Sequence, residues 1–243
     1  MLALAGCGGG GGGGGTSPSA AAGSSGAAAS GGLPVAAQTS GGTTPTAVVA
    51  ASGSGYPFGS RKTAYVAGTR PSQSNAAMDS LLASQYDAWK AARVVAADSV
   101  VAGGYAILFS GSTYLTVSEG MGYGMLIAVV FAGHDPNARQ VFDGLLSVVR
   151  TRYAYGNAQF DPLGKYLMDW RLNADGSSGG EGWNALDGDL DVAMALLMAD
   201  RQWGSAGKWN YLQEAKNTIA AIKSICMRSD GTTRGLRTAD VSR

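Results

Sequence analysis

Residues 116–132 read TVSEGMGYGMLIAVVFA, and their pattern indicates how the chain folds. From Gly120 to Ala132 nearly every side chain is apolar or reduced to a hydrogen, so the segment offers no polar face to water. A helix that is apolar all round is normally buried on every side in a soluble protein. We therefore expect residues 120–132 to form an inner helix that other helices surround.

Helical segments of a second kind lie before and after this one. They combine an apolar stripe at helical spacing with a polar face, as surface helices do. Three segments share this pattern: one capped by Ser72 or Ser74 with Met78, Leu81, Leu82, Tyr86 and Trp89 in its stripe, then residues 137–152, then residues 211–226. A second segment of the buried type, Leu190–Leu197, separates the last two.

This alternation predicts two layers, with buried helices inside and amphipathic helices outside. A concentric helical barrel and a helical repeat array both fit it, and an irregular bundle of the same helices is an alternative. Runs that alternate strictly between apolar and polar residues are nearly absent, so a β-sheet protein is not expected. The sequence thus indicates an all-α fold built in layers.

The composition argues against several functional classes. The 243 residues carry a formal charge of +1, whereas a nucleic-acid-binding protein needs a clear surplus of Lys and Arg. One histidine, His134, and two cysteines, Cys7 and Cys226, are too few for a typical metal site. We therefore expect no metal, no cofactor and no nucleic-acid partner.

The first 55 residues differ in composition from the rest of the chain. Leu4-Ala5-Gly6-Cys7 resembles the lipobox of bacterial lipoproteins, so we interpret residues 1–7 as the remnant of an export signal with Cys7 as the lipidated residue. Residues 8–55 are rich in Gly, Ser and Ala and are expected to form a disordered linker. The folded domain is expected to span 56–243. We expect an exported protein, either secreted or held at a bacterial cell envelope only by its lipid.

Acidic residues stand at the start of both buried segments, with Glu119 before the first and Asp187 before the second. Inner helices of a layered barrel run parallel, so their N-terminal ends open at one mouth. Paired carboxylates at such a mouth are what hydrolysis of a glycosidic bond requires. Alternatively, both acids only stabilise helix N-termini. A general acid also needs a raised pKa, which burial or a second carboxylate must provide against the helix dipole.

Two segments resemble glycoside hydrolase family 8. Thr116–Met125 is similar to the segment that carries the family's proton donor, and Ala185–Trp203, ALDGDLDVAMALLMADRQW, is similar to its second signature. Leu167-Met168-Asp169-Trp170, between the two, also matches, and the resemblance runs from about Tyr56 to Cys226. The fold that this resemblance implies is an (α/α)6 barrel.

The resemblance implies roles for five residues. Glu119 corresponds to the general acid, and Asp187 to the aspartate that holds the distorted sugar near the scissile bond. Trp170 corresponds to an aromatic that stacks on a sugar ring. Tyr123 and Asp189, inside the two signatures, are expected to contact the substrate. The implied activity is inverting endo-hydrolysis of a β-1,4-linked polysaccharide, with cellulose or another β-glucan favoured over chitosan.

The chain also departs from the family pattern. Leu186 stands where the second signature has Ser or Thr. The matching region is shorter than the family's domain, so we expect about half of the helical hairpins, a general base beyond residue 243 and little activity from this chain alone. A full-length protein is expected to be a monomer. A non-catalytic, glycan-binding surface lipoprotein and a helical repeat scaffold are the alternatives from other functional classes.

Overall fold

The structure, a computed structural model, describes residues 55–61, 64–154 and 162–233. The predicted export remnant 1–7 with Cys7, and the predicted linker up to residue 54, lie outside the described residues. The described helices are α1 (Asn75–Arg93), α2 (Ser118–Val130), α3 (Ala138–Thr151), α4 (Leu186–Trp203) and α5 (Tyr211–Ala221), the last continued by a π-helical turn, Ile222–Cys226.

Four short strands accompany these helices: β1 (Val94–Ala96), β2 (Tyr105–Ile107), β3 (Tyr114–Val117) and β4 (Arg171–Asn173). β1 pairs with β2 and β3 pairs with β4, both antiparallel. The second pair joins segments that are far apart in sequence, with Val117 opposite Arg171. The strands thus form two short antiparallel pairs that connect the segments between helices. The described fold is mainly helical, as predicted.

Helix α1 begins where the sequence predicts it. Ser74 is its N-cap, and Ser74 Oγ accepts a hydrogen bond from Ala77 N at 3.2 Å. The apolar stripe of α1 is buried only in its second half. Tyr86 is 3% exposed and stacks on Phe131 with ring centroids 4.3 Å apart, whereas Leu81 and Leu82 remain 60% and 50% exposed. Leu81 and Leu82 thus belong to the predicted stripe but are not buried by the described residues.

Helices α2 and α4 pack against each other along their length and form the inner pair. Helix α3 packs on α2 and α5 packs on α4, each from outside. Helix α3 carries its predicted stripe inward, where all five members are at most 3% exposed: Val141, Phe142, Leu145, Leu146 and Val149. The predicted division into inner and outer helices is confirmed for the described residues.

The inner helices are not buried on every side. Side chains on the remaining face of α2 and α4 are between 37% and 54% exposed: Tyr123, Val130, Leu190, Met194 and Leu197. The prediction of complete burial is wrong for this face, because no described element packs on it. None of the described helices combines the length and the apolar character that a membrane span requires.

Candidate active site

Glu119 lies in the first turn of α2, directly after β3. The ladder between β3 and β4 continues by one residue, because Ser118 N donates a hydrogen bond to Trp170 O at 2.8 Å. This bond fixes the residue at which α2 begins. Strand pairing therefore determines the position of Glu119, and it places Trp170 beside the start of the same helix.

Two glycines let α2 and α4 approach closely at their N-terminal ends. A Cβ atom on Gly188 would lie 2.5 Å from Ser118 Oγ and 2.8 Å from the Ser118 carbonyl carbon. A Cβ atom on Gly122 would lie 2.6 Å from Asp191 Cβ. Any larger residue at either position would push the helices apart. The glycines thus bring the acidic first turns of the two inner helices together.

The surroundings of Glu119 favour its neutral form. Burial raises the pKa of Glu119 most strongly, and the negative charges of Asp187 and Asp191 raise it further. Its own backbone N–H and the hydroxyl of Ser118, which donates to Glu119 Oε2 at 3.2 Å, oppose this shift. The net pKa shift is upward, so burial and the neighbouring carboxylates outweigh these two hydrogen bonds at the start of the helix. A partly buried carboxyl group with a raised pKa can donate a proton as a general acid.

Two carboxylates of α4 share one helical face beside Glu119. Asp187 is exposed, and its Oδ1 accepts a hydrogen bond from Gly188 N at 3.0 Å. Asp191 follows four residues later, which places it on the same face one turn further along α4. Burial raises the pKa of Asp191, and the charge of Asp187 adds to this effect.

Trp170 joins the starts of the two inner helices through its backbone. Its carbonyl accepts from Ser118, and its N–H donates to Trp183 O at 2.8 Å, shortly before α4 begins. The Arg171 guanidinium lies 4.5 Å from the centre of the Trp170 ring and 4.4 Å from that of Tyr114. Such cation–π contacts restrain the rings. An aromatic ring restrained in this way is suited to stacking on a sugar.

Asp169 anchors the loop that carries Trp170. It is 1% exposed, and its Oδ2 accepts a hydrogen bond from the Ser178 hydroxyl. Burial raises the pKa of Asp169, while hydrogen bonds, led by that of Ser178, oppose the shift. Any side chain on Gly180 would overlap with Asp169 Oδ1, and a Cβ there would lie 2.5 Å from Trp170 Cδ1. The tight glycine turn therefore closes over Asp169 and the edge of the indole.

Asp189 points away from the other predicted site residues. It is 1% exposed, and its two carboxylate oxygens accept from Met168 N at 3.0 Å and Asn184 Nδ2 at 2.7 Å. Burial raises the pKa of Asp189 to about 7, against the effect of these hydrogen bonds and of the Arg150 charge. The geometry favours an internal role, in which Asp189 ties the segment before Trp170 to the start of α4, over direct contact with substrate.

The structure thus gathers four of the five predicted site residues at one end of the inner helix pair. Glu119 and Asp187 lie there next to the backbone of Trp170, and Tyr123, 52% exposed, lies one turn after Glu119 on the same face of α2. Asp189 faces inward instead. Within the part of the chain that the structure describes, no three His, Cys, Asp or Glu side chains are arranged to hold a metal ion.

Three residues around this site were not singled out from the sequence: Asp169, Arg171 and Asp191. Asp191 had a readable signal, because its spacing of four residues from Asp187 puts both on one helical face. Asp169 stood in a recognised segment, but nothing in the sequence showed that its side chain is buried. Arg171 had no local signal, since its contact with Tyr114 depends on the pairing of β3 with β4.

The sequence is similar to those of known glycoside hydrolases. The family model described as glycosyl hydrolases family 8 matches residues 69–237. A beta-glucanase of Niallia circulans is 40% identical over 170 residues, which is 69% of this chain and 38% of that protein. An endoglucanase of Bacillus sp. (strain KSM-330) is 47% identical over 105 residues, which is 43% of this chain and 21% of that protein.

A solved structure supports the fold as well. The apo structure of a beta-1,3-1,4-glucanase from Paenibacillus sp. X4 superposes with a TM-score of 0.66 at 34% identity. The match covers 74% of this chain and 46% of that one, and the chain spans less than two fifths of the two sequence relatives. The predicted fold class, an (α/α)6 barrel, is confirmed, and the described helices form part of it.

Proposed function

Because the chain belongs to glycosyl hydrolase family 8, we propose that it supplies the proton-donating side of an inverting endo-glycosidase that cleaves β-1,4-linked glucan. Glu119 donates the proton to the departing glycosidic oxygen, Asp187 binds the distorted sugar, and Trp170 stacks on a sugar ring. The observation that carries the proposal is the setting of Glu119, an acid with a raised pKa near an exposed carboxylate, at the helix start that the Trp170 backbone joins.

The chemistry requires Glu119 to be protonated when substrate binds. As the bond between the anomeric carbon and the leaving oxygen breaks, the Glu119 proton moves to that oxygen and Glu119 becomes a carboxylate. The sugar then carries positive charge, which the nearby Asp187 carboxylate can stabilise. In an inverting reaction a separate carboxylate activates water on the opposite face of the sugar. We assign none of the described residues to that role.

The names of the three similar proteins support the proposed substrate class, a β-glucan. The three proteins compared above are named as a beta-glucanase, an endoglucanase and a beta-1,3-1,4-glucanase. These names support a β-glucan as the substrate over chitosan, which is a polymer of glucosamine.

The proposal is tested by incubating the protein with carboxymethylcellulose, mixed-linkage β-glucan and chitosan. We expect new reducing ends from the glucans, and we expect proton NMR of freshly cleaved cello-oligosaccharide to show the α-anomer first. Cleavage of chitosan alone would move the substrate to the glucosamine polymer. An initial β-anomer would contradict the inverting mechanism, and binding without cleavage would contradict the enzymatic function.

A further inference from the structure

Asp191 occupies a place beside the general acid that only a glycine on the facing helix allows. Its Cβ lies 2.6 Å from where a Cβ of Gly122 would stand, so Asp191 packs directly over the backbone of α2. Gly122 follows Glu119 by three residues, which puts the two positions on one face of α2 and one turn apart. The helix contact therefore holds Asp191 one turn from the residue proposed to donate the proton.

The negative charge of Asp191 is not neutralised by the described residues. The ion pairs among them are Arg61–Asp79, Lys90–Asp135, His134–Asp87 and Arg150–Glu214, and none includes Asp191 or Glu119. The basic residue of β4, Arg171, is engaged with two aromatic rings and with the Gly179 carbonyl.

The other elements packed against α2 bring no charge to this place. β2 and α3 present Ile107 and Leu145 to Gly124, five residues after Glu119, and β3 carries no Asp, Glu, Lys or Arg. The charges that act on Glu119 are those of Asp187 and Asp191, both from α4. Asp187 is exposed at the mouth, where a bound sugar would engage it, whereas Asp191 lies one turn deeper and is half-buried.

We propose that Asp191 is a positioning residue that acts through Glu119: its carboxylate, on a side chain whose Cβ is held over Gly122, acts together with that of Asp187 to keep the general acid protonated at the start of each turnover. The inference rests on the proposed function, because it assigns to Asp191 a task within that reaction. Of the two acids on this helical face, Asp187 acts on both the sugar and the proton donor, whereas Asp191 acts on the proton donor alone.

The test replaces Asp191 by Asn, which preserves the shape of the side chain and its Cβ contact with Gly122 but removes the charge. In Asp191→Asn the carboxyl carbon of Glu119, followed by ¹³C NMR, should titrate at lower pH than in the wild type. The alkaline limb of the kcat–pH profile on β-glucan should move to lower pH in the same direction. Asp191→Ala, which also retains the Cβ atom, should give the same two shifts.

Asp87→Asn is the matched control, because it makes the same change at an exposed side chain on α1 and should move neither titration. An unchanged Glu119 titration in folded Asp191→Asn and Asp191→Ala would overturn the inference. The NMR titration needs no turnover, so this result is distinct from failure of the proposed function, in which the wild-type protein would cleave no polysaccharide while Glu119 still titrates. A loss of kcat at every pH without movement of the alkaline limb would also overturn it, since a purely structural role predicts that result.

Discussion

Asp189 is an acid that the fold encloses, and its ionisation opposes folding. Burial raises its pKa from 3.8 in the unfolded chain to about 7 in the folded protein. The folded state therefore holds this proton more tightly than the unfolded state does. The contribution of Asp189 to the free energy of unfolding is full below pH 3.8, falls as the pH rises toward about 7, and is lost above that value.

Replacing Asp189 by Asn should remove this pH dependence. The amide retains one acceptor oxygen and cannot ionise, so the difference in the free energy of unfolding between the wild type and Asp189→Asn should shrink between pH 4 and 7. The expected change is ~2–3 kcal/mol at most, from about 1.4 kcal/mol per pKa unit reduced by solvent relaxation. Urea denaturation at several pH values measures the difference. Parallel stability curves for the two proteins would show that Asp189 does not titrate in this range.

At the scale of elements, the close contact of α2 with α4 holds the acids together. Gly188→Ala would place a Cβ 2.5 Å from Ser118 Oγ and should force the helices apart. We expect a loss of about 1–3 kcal/mol in the free energy of unfolding. Gly120→Ala, in the first turn of α2, is the matched control, because its Cβ would meet nothing closer than 3.8 Å.

Chemical denaturation of both variants measures the effect. Gly120→Ala should be neutral or stabilising by up to about 1 kcal/mol, because alanine favours the helix over glycine. Equal stability of the two alanine variants would contradict the proposed role of the glycine contact.

The helices themselves were predictable from the sequence because their signals are local. The Ser74 cap and the stripe from Val141 to Val149 indicate their elements through spacing alone, and both agree with the structure. The pairing of Glu119 with Asp187 followed from parallel inner helices and from the family resemblance. Local periodicity and two short signatures were sufficient to predict these helices and the closeness of Glu119 and Asp187.

The expected substrate contact of Asp189 rested on the family resemblance, whereas helical geometry indicates that its side chain faces away from that of Asp187. Side chains two positions apart on a helix point in directions about 200° apart, so Asp187 and Asp189 cannot face the same groove. The hydrogen bond from Ser118 to Trp170 could not be predicted, because it depends on strands that lie far apart in sequence. Contacts of this kind are set by the tertiary fold and leave no local pattern.

At the scale of the whole molecule, the open face of the inner helices is the main feature that the described residues leave exposed. Leu190, Met194 and Leu197 form a stripe along α4, and Val130 of α2 is 45% exposed. Contiguous apolar surface of this kind drives association in water. We expect the isolated 243-residue chain to bind a hydrophobic dye and to self-associate.

Replacing Leu190 and Met194 by Gln should reduce both dye fluorescence and the size measured by light scattering. Ile219→Gln is the control, because Ile219 is a similarly exposed apolar side chain, 38%, on the outer helix α5. A monomeric wild-type chain without dye binding would contradict the expected behaviour of this face.

The central claim is that Glu119 donates the proton, and the most direct measurement compares the kcat of Glu119→Gln with that of the wild type. The glutamine side chain has the shape of the protonated acid but cannot transfer its proton. We expect kcat on β-glucan to fall by about 10²–10⁴-fold while cello-oligosaccharide binding by calorimetry is retained. Glu181→Gln, the same change at an exposed glutamate, should leave kcat unchanged. A Glu119→Gln protein that turns over at the wild-type rate would contradict the account.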